Sequence, residues 1–191
     1  MCVVIYGVGM RSAVWRAGAA AAVVLVALAV GGCVGEEPDG TPSPEPTATP
    51  LFGSDEEALA AAEEAYGRYQ AVSDAILSDG GANPERLLEV ATEEKLQYEL
   101  DGYDELRSNG YVAAGRSEFD RMTIQNRDDS SVTVYVCDDI TSLDVLGPDG
   151  SSVVAPDRPD RFPRTVTFTP NSELMLIVSN TDEWTGEDFC A

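Results

Sequence analysis

The spacing of apolar residues changes at about residue 110. Before this point, apolar residues recur every three or four positions, which is the period of an α-helix. Ser54 and Glu57 stand three positions apart in the arrangement of a capping box, which starts a helix. The pattern therefore predicts a long amphipathic helix that begins after Ser54 and ends at "SDGG", residues 78–81. Its apolar face comprises Leu59, Ala62, Tyr66, Tyr69, Val72 and Ile76.

Two further helices are predicted before Gly110. Asn83 followed by Pro84 offers a cap and a first-turn proline for a short helix. Thr92 restarts a helix that Asn109-Gly110 ends. The short helix carries Leu87, Leu88 and Val90, and the following helix has an apolar stripe of Leu96, Leu100, Tyr103 and Leu106.

Beyond Gly110 the chain has the alternating pattern of strands with one buried face. Strands are predicted at "FDRMTIQN" (119–126), "VTVYVC" (132–137) and "RTVTFT" (164–169), with a hairpin about Pro148-Asp149-Gly150 and a loop over 156–163. The stretch "LMLIVSN" (174–180) is apolar on both faces, which predicts a central strand. Helices followed by antiparallel strands predict an α+β fold, in a single domain over residues 54–191.

The amino-terminal segment has the features of a secretory signal. Arg11 and Arg16 precede an uncharged, apolar run over residues 17–30. This run is shorter than the roughly 20 residues that cross a bilayer. Residues 1–9 are apolar and uncharged, whereas a start at Met10 would give a plain basic leader, so we expect Met10 to be the true start.

The apolar run ends in Val30-Gly31-Gly32-Cys33, which resembles the lipobox of bacterial lipoproteins. The resemblance implies a signal peptide over residues 1–32, with cleavage between Gly32 and Cys33. It also implies a diacylglycerol on the Cys33 thiol and a further fatty acid, such as palmitate, on the new amine. An ordinary signal peptide with a coincidental cysteine is the alternative. The lipoprotein interpretation predicts a lipid-anchored protein on the extracytoplasmic face of the cell membrane.

Residues 33–53 are rich in proline, threonine and acid. Such a segment buries too little apolar area to order itself, and proline keeps it extended. We expect it to be a disordered tether between the lipidated Cys33 and the folded domain.

The chain is strongly acidic, with a net charge of −22. Removal of residues 1–32 takes away two of the 12 basic residues and no acid, so the charge becomes −24. Such a surface repels nucleic acid, and we predict no nucleic-acid partner. The charge is typical of a solvated surface, and binding of a cation or a basic partner is the functional alternative.

Cys137 and Cys190 remain once the cysteines at positions 2 and 33 are set aside. A pair of cysteines in an exported protein predicts a disulfide, which would join the carboxyl-terminal end to the strand at 132–137. Two free thiols or a metal site are the alternatives. Two cysteines without any histidine provide too few ligands for an ordinary zinc site.

The order of helices and strands resembles the superfamily of nuclear transport factor 2 and ketosteroid isomerase. More specifically, the chain resembles small lipoproteins of high-GC bacteria that join a lipobox and a proline/threonine spacer to such a domain. The resemblance implies a curved antiparallel sheet that wraps the first helix into a cone, with cysteines at Cys137 and Cys190. Domains of this type often form a homodimer through the sheet. The chain departs from the pattern in lacking a tryptophan in its last strand; Trp184 lies beyond it.

Signs of catalysis are few. The absence of histidine excludes Ser-His-Asp and Cys-His schemes, and no glycine-rich phosphate loop occurs, so we predict no cofactor. The acidic stretch 180–188 lacks the spacing of a calcium loop, and we predict no metal. Enzymes of the resembled superfamily use a carboxylate and a tyrosine inside the cone. The candidates for that role are Glu118, Asp120, Asp144 and Tyr135.

The sequence predicts a non-catalytic, membrane-anchored domain that binds a small apolar ligand in the cone or docks a cell-envelope protein. Tyr66 and Tyr69 would line a ligand pocket or belong to the core, and a threonine-rich outer sheet face would be a docking surface or simply solvated. The alternative is a proton-transfer enzyme of the isomerase or dehydratase type with a buried carboxylate.

Overall fold

The computed structural model describes residues 50–190. The predicted signal, lipobox and most of the tether therefore lie outside the described residues. The helices are α1 (Asp55–Ser78), a short 3-10 helix (Pro84–Glu89) and α2 (Glu93–Asn109). The strands are β1 (Val112–Ala114), β2 (Glu118–Arg127), β3 (Val132–Asp139), β4 (Asp144–Leu146), β5 (Arg161–Pro170) and β6 (Leu176–Glu183). Within residues 50–190, no helix combines the length and the apolar character needed to cross a membrane.

The predicted start of α1 is confirmed. The Ser54 hydroxyl accepts a hydrogen bond from the Glu57 amide at 3.1 Å, and the Glu57 carboxylate accepts one from the Gly53 amide at 2.9 Å. These bonds satisfy amides that have no partner within the helix. Asp55 and Glu56 add negative charge at the positive end of the helix dipole.

The ends of α2 follow the sequence signals, and Asn83 takes the cap position predicted for it, although its side chain does not form the usual capping bond. Thr92 accepts a hydrogen bond from the Lys95 amide at 3.3 Å, and Gly110 ends the helix at φ 67°. Asn83 instead adopts a left-handed conformation, φ 51°, and its side chain makes no capping bond. Pro84 does occupy the first turn of the 3-10 helix, as expected.

Four antiparallel strands form the main sheet in the order β2-β3-β5-β6. The predicted hairpin about Pro148 is present as a turn, in which the Val153 amide bonds to the Val145 carbonyl at 2.9 Å. However, β4 pairs with β1 in a separate two-stranded sheet, which the sequence did not predict.

The position predicted for "LMLIVSN" is wrong, because β6 is an edge strand of the sheet. The segment that links the 3-10 helix to α2 covers part of this edge. The Val178 amide bonds to the Val90 carbonyl, and the Thr92 amide bonds to the Val178 carbonyl, both at 2.9 Å. The cover satisfies edge groups that would otherwise be open to pairing with another chain.

The sheet curves around α1. Adjacent strands are about 4.8 Å apart, so a flat sheet of four would hold its outer strands roughly 14 Å apart. Yet α1 contacts both outer strands, β2 and β6, as well as β3. Irregularities in β2 and between β5 and β6 bend the strands locally. The predicted α+β class, with amino-terminal helices packed in a curved antiparallel sheet, is confirmed.

The core lies between α1 and the concave face of the sheet. Small side chains of α1, at Ala58, Ala62 and Ala65, are 0–1% exposed and allow the helix to approach the strands closely. Larger helix residues fill the remaining space, and Tyr66 packs edge-on against Phe168 with ring centroids 6.3 Å apart. The sheet contributes Val132, Val134, Val136, Val166, Phe168 and Val178, all fully buried. The helix therefore occupies the interior of the cone.

Candidate functional site

A group of polar side chains lies inside the cone, among the apolar core residues. Asp138 follows Val132, Val134 and Val136 on the same face of β3, so the alternation of the strand turns its side chain inward. It is 5% exposed. Buried carboxylates are rare in proteins unless they are paired, so the surroundings of Asp138 define the candidate site.

Three donors surround the Asp138 carboxylate. The Tyr66 hydroxyl donates to Oδ1 at 2.7 Å, and the Gln70 amide donates to the same oxygen at 3.3 Å. Arg164 on β5 donates through Nε to Oδ2 at 2.7 Å and forms a buried ion pair. Both carboxylate oxygens are therefore engaged by side chains of α1 and the sheet.

The pKa of Asp138 is raised from its ordinary value because burial removes the carboxylate from water. The Arg164 charge and the Tyr66 hydrogen bond act in the opposite direction, but they do not outweigh the loss of hydration. Asp138 thus has two properties that proton-transfer residues share, burial and a raised pKa. Three of its four lone-pair sites, however, already accept hydrogen bonds from protein groups.

A second buried group is centred on Lys95 of α2, which is 2% exposed. Its ammonium donates to the Thr181 hydroxyl at 2.7 Å and forms an ion pair with Glu99. The Tyr69 hydroxyl donates to the same Glu99 carboxylate at 3.2 Å. The ammonium also lies 4.9 Å from the centre of the exposed Tyr98 ring, within the range of a cation–π interaction.

Burial lowers the pKa of Lys95, although the neighbouring Glu99 favours the charged form. Burial raises the pKa of the Tyr69 hydroxyl well above 10, and the Glu99 charge adds to this effect. Electrostatic interaction also joins the two groups, because Lys95 favours the ionised form of Asp138 and Arg164 disfavours protonated Lys95. The interior polar groups form a connected set, which we call the cone cluster: Tyr66, Tyr69, Gln70, Lys95, Glu99, Asp138, Arg164 and Thr181.

The carboxylates that the sequence offered for catalysis are not in this cluster. The side chain of Glu118 is 58% exposed and pairs with Arg116, and that of Asp120 is 51% exposed and pairs with Arg161. Asp144 is half-buried and accepts a hydrogen bond from the Ser152 hydroxyl at 2.7 Å. The alternative enzymatic interpretation required one of these three acids inside the cone, and none is placed there: Glu118 and Asp120 are exposed on β2, and Asp144 lies on β4 of the small second sheet.

Tyr135, the fourth candidate for the inside of the cone, lies on the outer face of the sheet, because it alternates with the inward-facing valines of β3. Its ring packs against Trp184 with centroids 4.7 Å apart, and Phe189 packs against both rings. Cys137 is bonded to Cys190, with Cα atoms 5.5 Å apart. The carboxyl-terminal residues 184–190 thus form a strap across part of the outer face.

Two arginines also contact the strap. Arg121 donates to the Phe189 carbonyl at 2.5 Å. Arg161 lies 3.5 Å from the Cys190 carbonyl and pairs with Asp120 and Asp139. The remaining threonines of the outer face are half-buried, and the Thr133 and Thr167 hydroxyls are 3.3 Å apart.

Sequence reasoning missed both centres of the cone cluster. A signal existed for Asp138, because the alternation that places the valines inside continues to this residue. No comparable signal existed for Lys95, since a lysine next to an apolar stripe is normally exposed. Among residues 50–190, no group of histidine, cysteine or carboxylate side chains is arranged to hold a metal ion.

Comparisons with known proteins found similarity to solved structures and to no protein family. No protein-family model matches the chain, and no curated protein matches it. Among solved structures, the intermembrane space region of the chloroplast protein ARC6 aligns with a TM-score of 0.48 and 12% identity, over 67% of this chain and 97% of that one. Aln2 from a Streptomyces species aligns with a TM-score of 0.40 and 20% identity, over 69% and 93%. A protein from Catenulispora acidiphila in complex with S-DNPA aligns with a TM-score of 0.41 and 16% identity, over 65% of this chain and 94% of that one. These similarities assign no function to the chain.

Proposed function

We propose that this protein is a membrane-anchored extracytoplasmic lipoprotein whose folded domain binds a partner and does not catalyse a reaction. Support for the anchor comes from the apolar run that ends in Gly31-Gly32-Cys33 and from the proline-rich tether that follows it. The Cys137–Cys190 disulfide supports export, since such bonds persist mainly in oxidising compartments.

The engagement of Asp138 is the observation that supports a non-catalytic role. A general base needs a lone pair within hydrogen-bond reach of the proton that it removes. Both oxygens of Asp138 are instead held by Tyr66, Gln70 and Arg164. The cone cluster, in this proposal, is a structural network that fixes α1 against the sheet.

The packing of α1 favours docking of a partner protein over binding of a small ligand. Ala58, Ala62 and Ala65 bring the helix backbone close to the strands, and the tyrosine rings fill the remaining space. Tyr66 and Tyr69 belong to the core, with exposures of 2% and 7%. A partner would then bind on the outside of the domain.

The anchor is tested by determining the amino terminus and its mass on protein purified from the producing bacterium. We expect an acylated Cys33 and partition into the detergent phase, and we expect Cys33→Ala to move the protein to the aqueous phase. The double variant Cys137→Ala/Cys190→Ala is the matched control, because it removes the other two mature cysteines and should still partition with detergent. A mature chain that begins elsewhere, or that carries no acyl chain, would refute the anchor.

Proton transfer is the second candidate, and the raised pKa of Asp138 beside Tyr66 is the observation that favours it. It is tested by NMR, through deuterium exchange at carbons next to the carbonyl in a panel of cyclic ketones. Exchange that is lost in Asp138→Asn and kept in Glu118→Gln would replace the binding proposal with an enzymatic one. An exchange rate equal to that of buffer alone supports the binding proposal.

A further inference from the structure

Three of the exposed large apolar side chains lie on two neighbouring segments. Within residues 50–190, Leu174 is 72% exposed, Leu88 46% and Met175 45%. Tyr98 and Val112, the other large apolar residues exposed in this range, lie on α2 and β1. Single exposed apolar residues are common on proteins, whereas grouped ones often mark interaction surfaces.

The cover on the edge of β6 places the segment that follows Leu88 beside the strand that follows Leu174 and Met175. Ala91 pairs with Val178 in parallel orientation. Leu88 stands three residues before Ala91, and Met175 stands three residues before Val178. Met175 directly precedes β6, and Leu88 lies in the turn that the Val90 and Ala91 amides close on the Leu87 carbonyl, so both residues precede this contact. Leu174 is adjacent to Met175, and we call these three residues the apolar tip.

Leu174 is held in place by its turn at a conformational cost. Its φ of 62° is in the left-handed region, which glycine adopts freely and leucine does not. Asn171 fixes the turn: its side-chain oxygen accepts from the amides of Glu173 and Met175, at 2.9 and 3.1 Å, and its carbonyl accepts from the Leu174 amide at 3.0 Å. The most exposed leucine is therefore presented in a defined position, which reduces the entropy lost on binding.

Acidic residues surround the apolar tip. Glu89 and Glu173 are adjacent to Leu88 and Leu174 in sequence, and both are exposed. Glu85 is exposed as well and stands three residues before Leu88 in the 3-10 helix, where such residues share a face. Two nearby arginines pair with acids: Arg86 with Asp79 at 2.8 Å, and Arg68, which donates to the Leu176 carbonyl at 3.1 Å, with Glu64 at 2.7 Å. The surface thus combines an apolar centre with a negative rim.

We propose that the apolar tip is a docking site for a protein segment that presents an apolar face flanked by lysine or arginine. Charge complementarity supports this partner, because the rim attracts basic residues while the leucines and methionine provide apolar contact. The same rim opposes approach to an anionic bilayer. The inference rests on the proposed docking function, whose partner class it names.

The test uses the chain from residue 34 onward, exported behind an ordinary secretory signal, so that its outcome is independent of the lipid anchor. The core residues of the described domain all lie between Leu51 and Val178. This chain retains them, so we expect it to fold. The probe is a fluorescent helical peptide of about five turns, built from leucine and lysine in an amphipathic pattern, and its Kd is measured by anisotropy at physiological salt. Circular dichroism checks that each variant is folded.

We expect Leu174→Ser/Met175→Ser to weaken binding roughly tenfold, as is typical for the central residues of an interface. The control Tyr98→Ser removes an exposed aromatic residue elsewhere and should change the Kd by less than about twofold. We expect Glu89→Gln/Glu173→Gln to weaken binding more than Glu105→Gln/Glu187→Gln, which removes the same charge at other sites.

Three outcomes would overturn the proposal. The first is a Kd that the apolar double variant does not change. The second is equal weakening by the two charge variants, which would indicate non-specific attraction by net charge. The third is flotation of the chain with phosphatidylcholine vesicles that is lost in Leu174→Ser/Met175→Ser, which would identify lipid as the occupant.

Discussion

Truncation of Asp138 to alanine tests whether the cone cluster holds the fold together. The substitution removes the acceptor of three hydrogen bonds, from Tyr66 at 2.7 Å, Gln70 at 3.3 Å and Arg164 at 2.7 Å. Water has little access to this position, since Asp138 is 5% exposed. The three donors would therefore lose an acceptor that solvent does not readily replace.

The expected loss of stability is large. A neutral hydrogen bond contributes about 1 kcal/mol and one with a charged partner about 1.5–3 kcal/mol. The Tyr66 and Arg164 bonds are short and the Gln70 bond is long, so we expect Asp138→Ala to lower the free energy of unfolding by about 3–5 kcal/mol. That is a substantial part of the roughly 5–15 kcal/mol that stabilises a typical domain.

Asp138→Asn should cost about 1–2 kcal/mol less than Asp138→Ala. The asparagine oxygen can still accept from Tyr66 and Gln70, whereas its amide nitrogen would face the Arg164 guanidinium and cannot accept from it, so both variants lose the ion pair. The raised pKa also sets the pH dependence. The folded state holds the Asp138 proton more tightly than the unfolded chain does, so this group contributes most stability below its ordinary pKa of 3.8 and loses it as pH rises through the folded value. The difference between wild type and Asp138→Asn should therefore narrow from about pH 4 to about pH 7.

The assay is urea unfolding in non-reducing buffer, followed by Trp184 fluorescence and circular dichroism at both pH values. Arg116→Ala is a suitable control, because Arg116 is exposed and its ion pair with Glu118 should contribute little. If Asp138→Ala costs less than about 1 kcal/mol, water must reach the cluster and its structural role is wrong. If Asp138→Asn costs as much as Asp138→Ala, the charge rather than the hydrogen-bond acceptor matters, which contradicts the raised pKa.

Three other predictions concern stability. Cys137→Ala/Cys190→Ala should lower the free energy of unfolding by up to roughly 4 kcal/mol, which is the chain-entropy value for cysteines 53 residues apart. Urea unfolding of the variant and of wild type, both without reductant, measures this difference. The pKa of Lys95 is lowered below 10.5 in the folded state, so the folded protein releases this proton at a lower pH than the unfolded chain does. Wild-type stability should therefore rise relative to that of Lys95→Met as pH increases from about 7 to about 10. Urea midpoints of the two proteins that stay parallel over this range would contradict the prediction. The hydrogen bonds from Thr141, with help from Arg161, lower the pKa of Asp139 to about 2, so its contribution is present above pH 3.8 and is lost as pH falls through about 2. Acid titration of the urea midpoint should show a smaller loss in Asp139→Asn than in wild type.

Local signals in the sequence predicted the helices well. The caps at Ser54 and Thr92 and the glycine at Gly110 act within a few residues, so their effect can be read from the sequence alone. Asn83 takes the predicted cap position but adopts a left-handed turn there instead of capping with its side chain, and asparagine is common in both roles. The choice between these depends on the bend between α1 and the 3-10 helix, which tertiary packing sets.

The order of the strands could not be predicted in the same way. The stretch 174–180 was assigned to the centre of the sheet because it is apolar on both faces. Its first two residues instead belong to an exposed turn, and the backbone of Val90 and Thr92 protects the free edge of β6. That protection comes from a segment far earlier in the chain, and no local pattern reveals it.

The two centres of the cone cluster differ in how far the sequence could have found them. Asp138 continues the inward alternation of β3, so a stricter reading of the period would have placed this acid in the core. The burial of Lys95 depends on Thr181, 86 residues away, and on Glu99 one turn along the helix. A lysine in the first turn of a helix ordinarily extends into water, whereas β6 and the rings of Tyr69 and Tyr98 enclose this one.

The alternation of β3 breaks at Cys137, and the disulfide explains why. Val136, Cys137 and Asp138 are all buried, although a strand with one solvated face should alternate. Cys137 points to the outer face, where the bond to Cys190 joins it to the strap, and the rings of Trp184 and Phe189 pack against the neighbouring Tyr135. The strap therefore provides this end of the outer face with a small core of its own.

Because the strap already covers Tyr135, a partner that docks on the outer sheet would meet only the threonine-rich part beyond it. The exposed apolar tip at the other end of the sheet is thus the better candidate for docking.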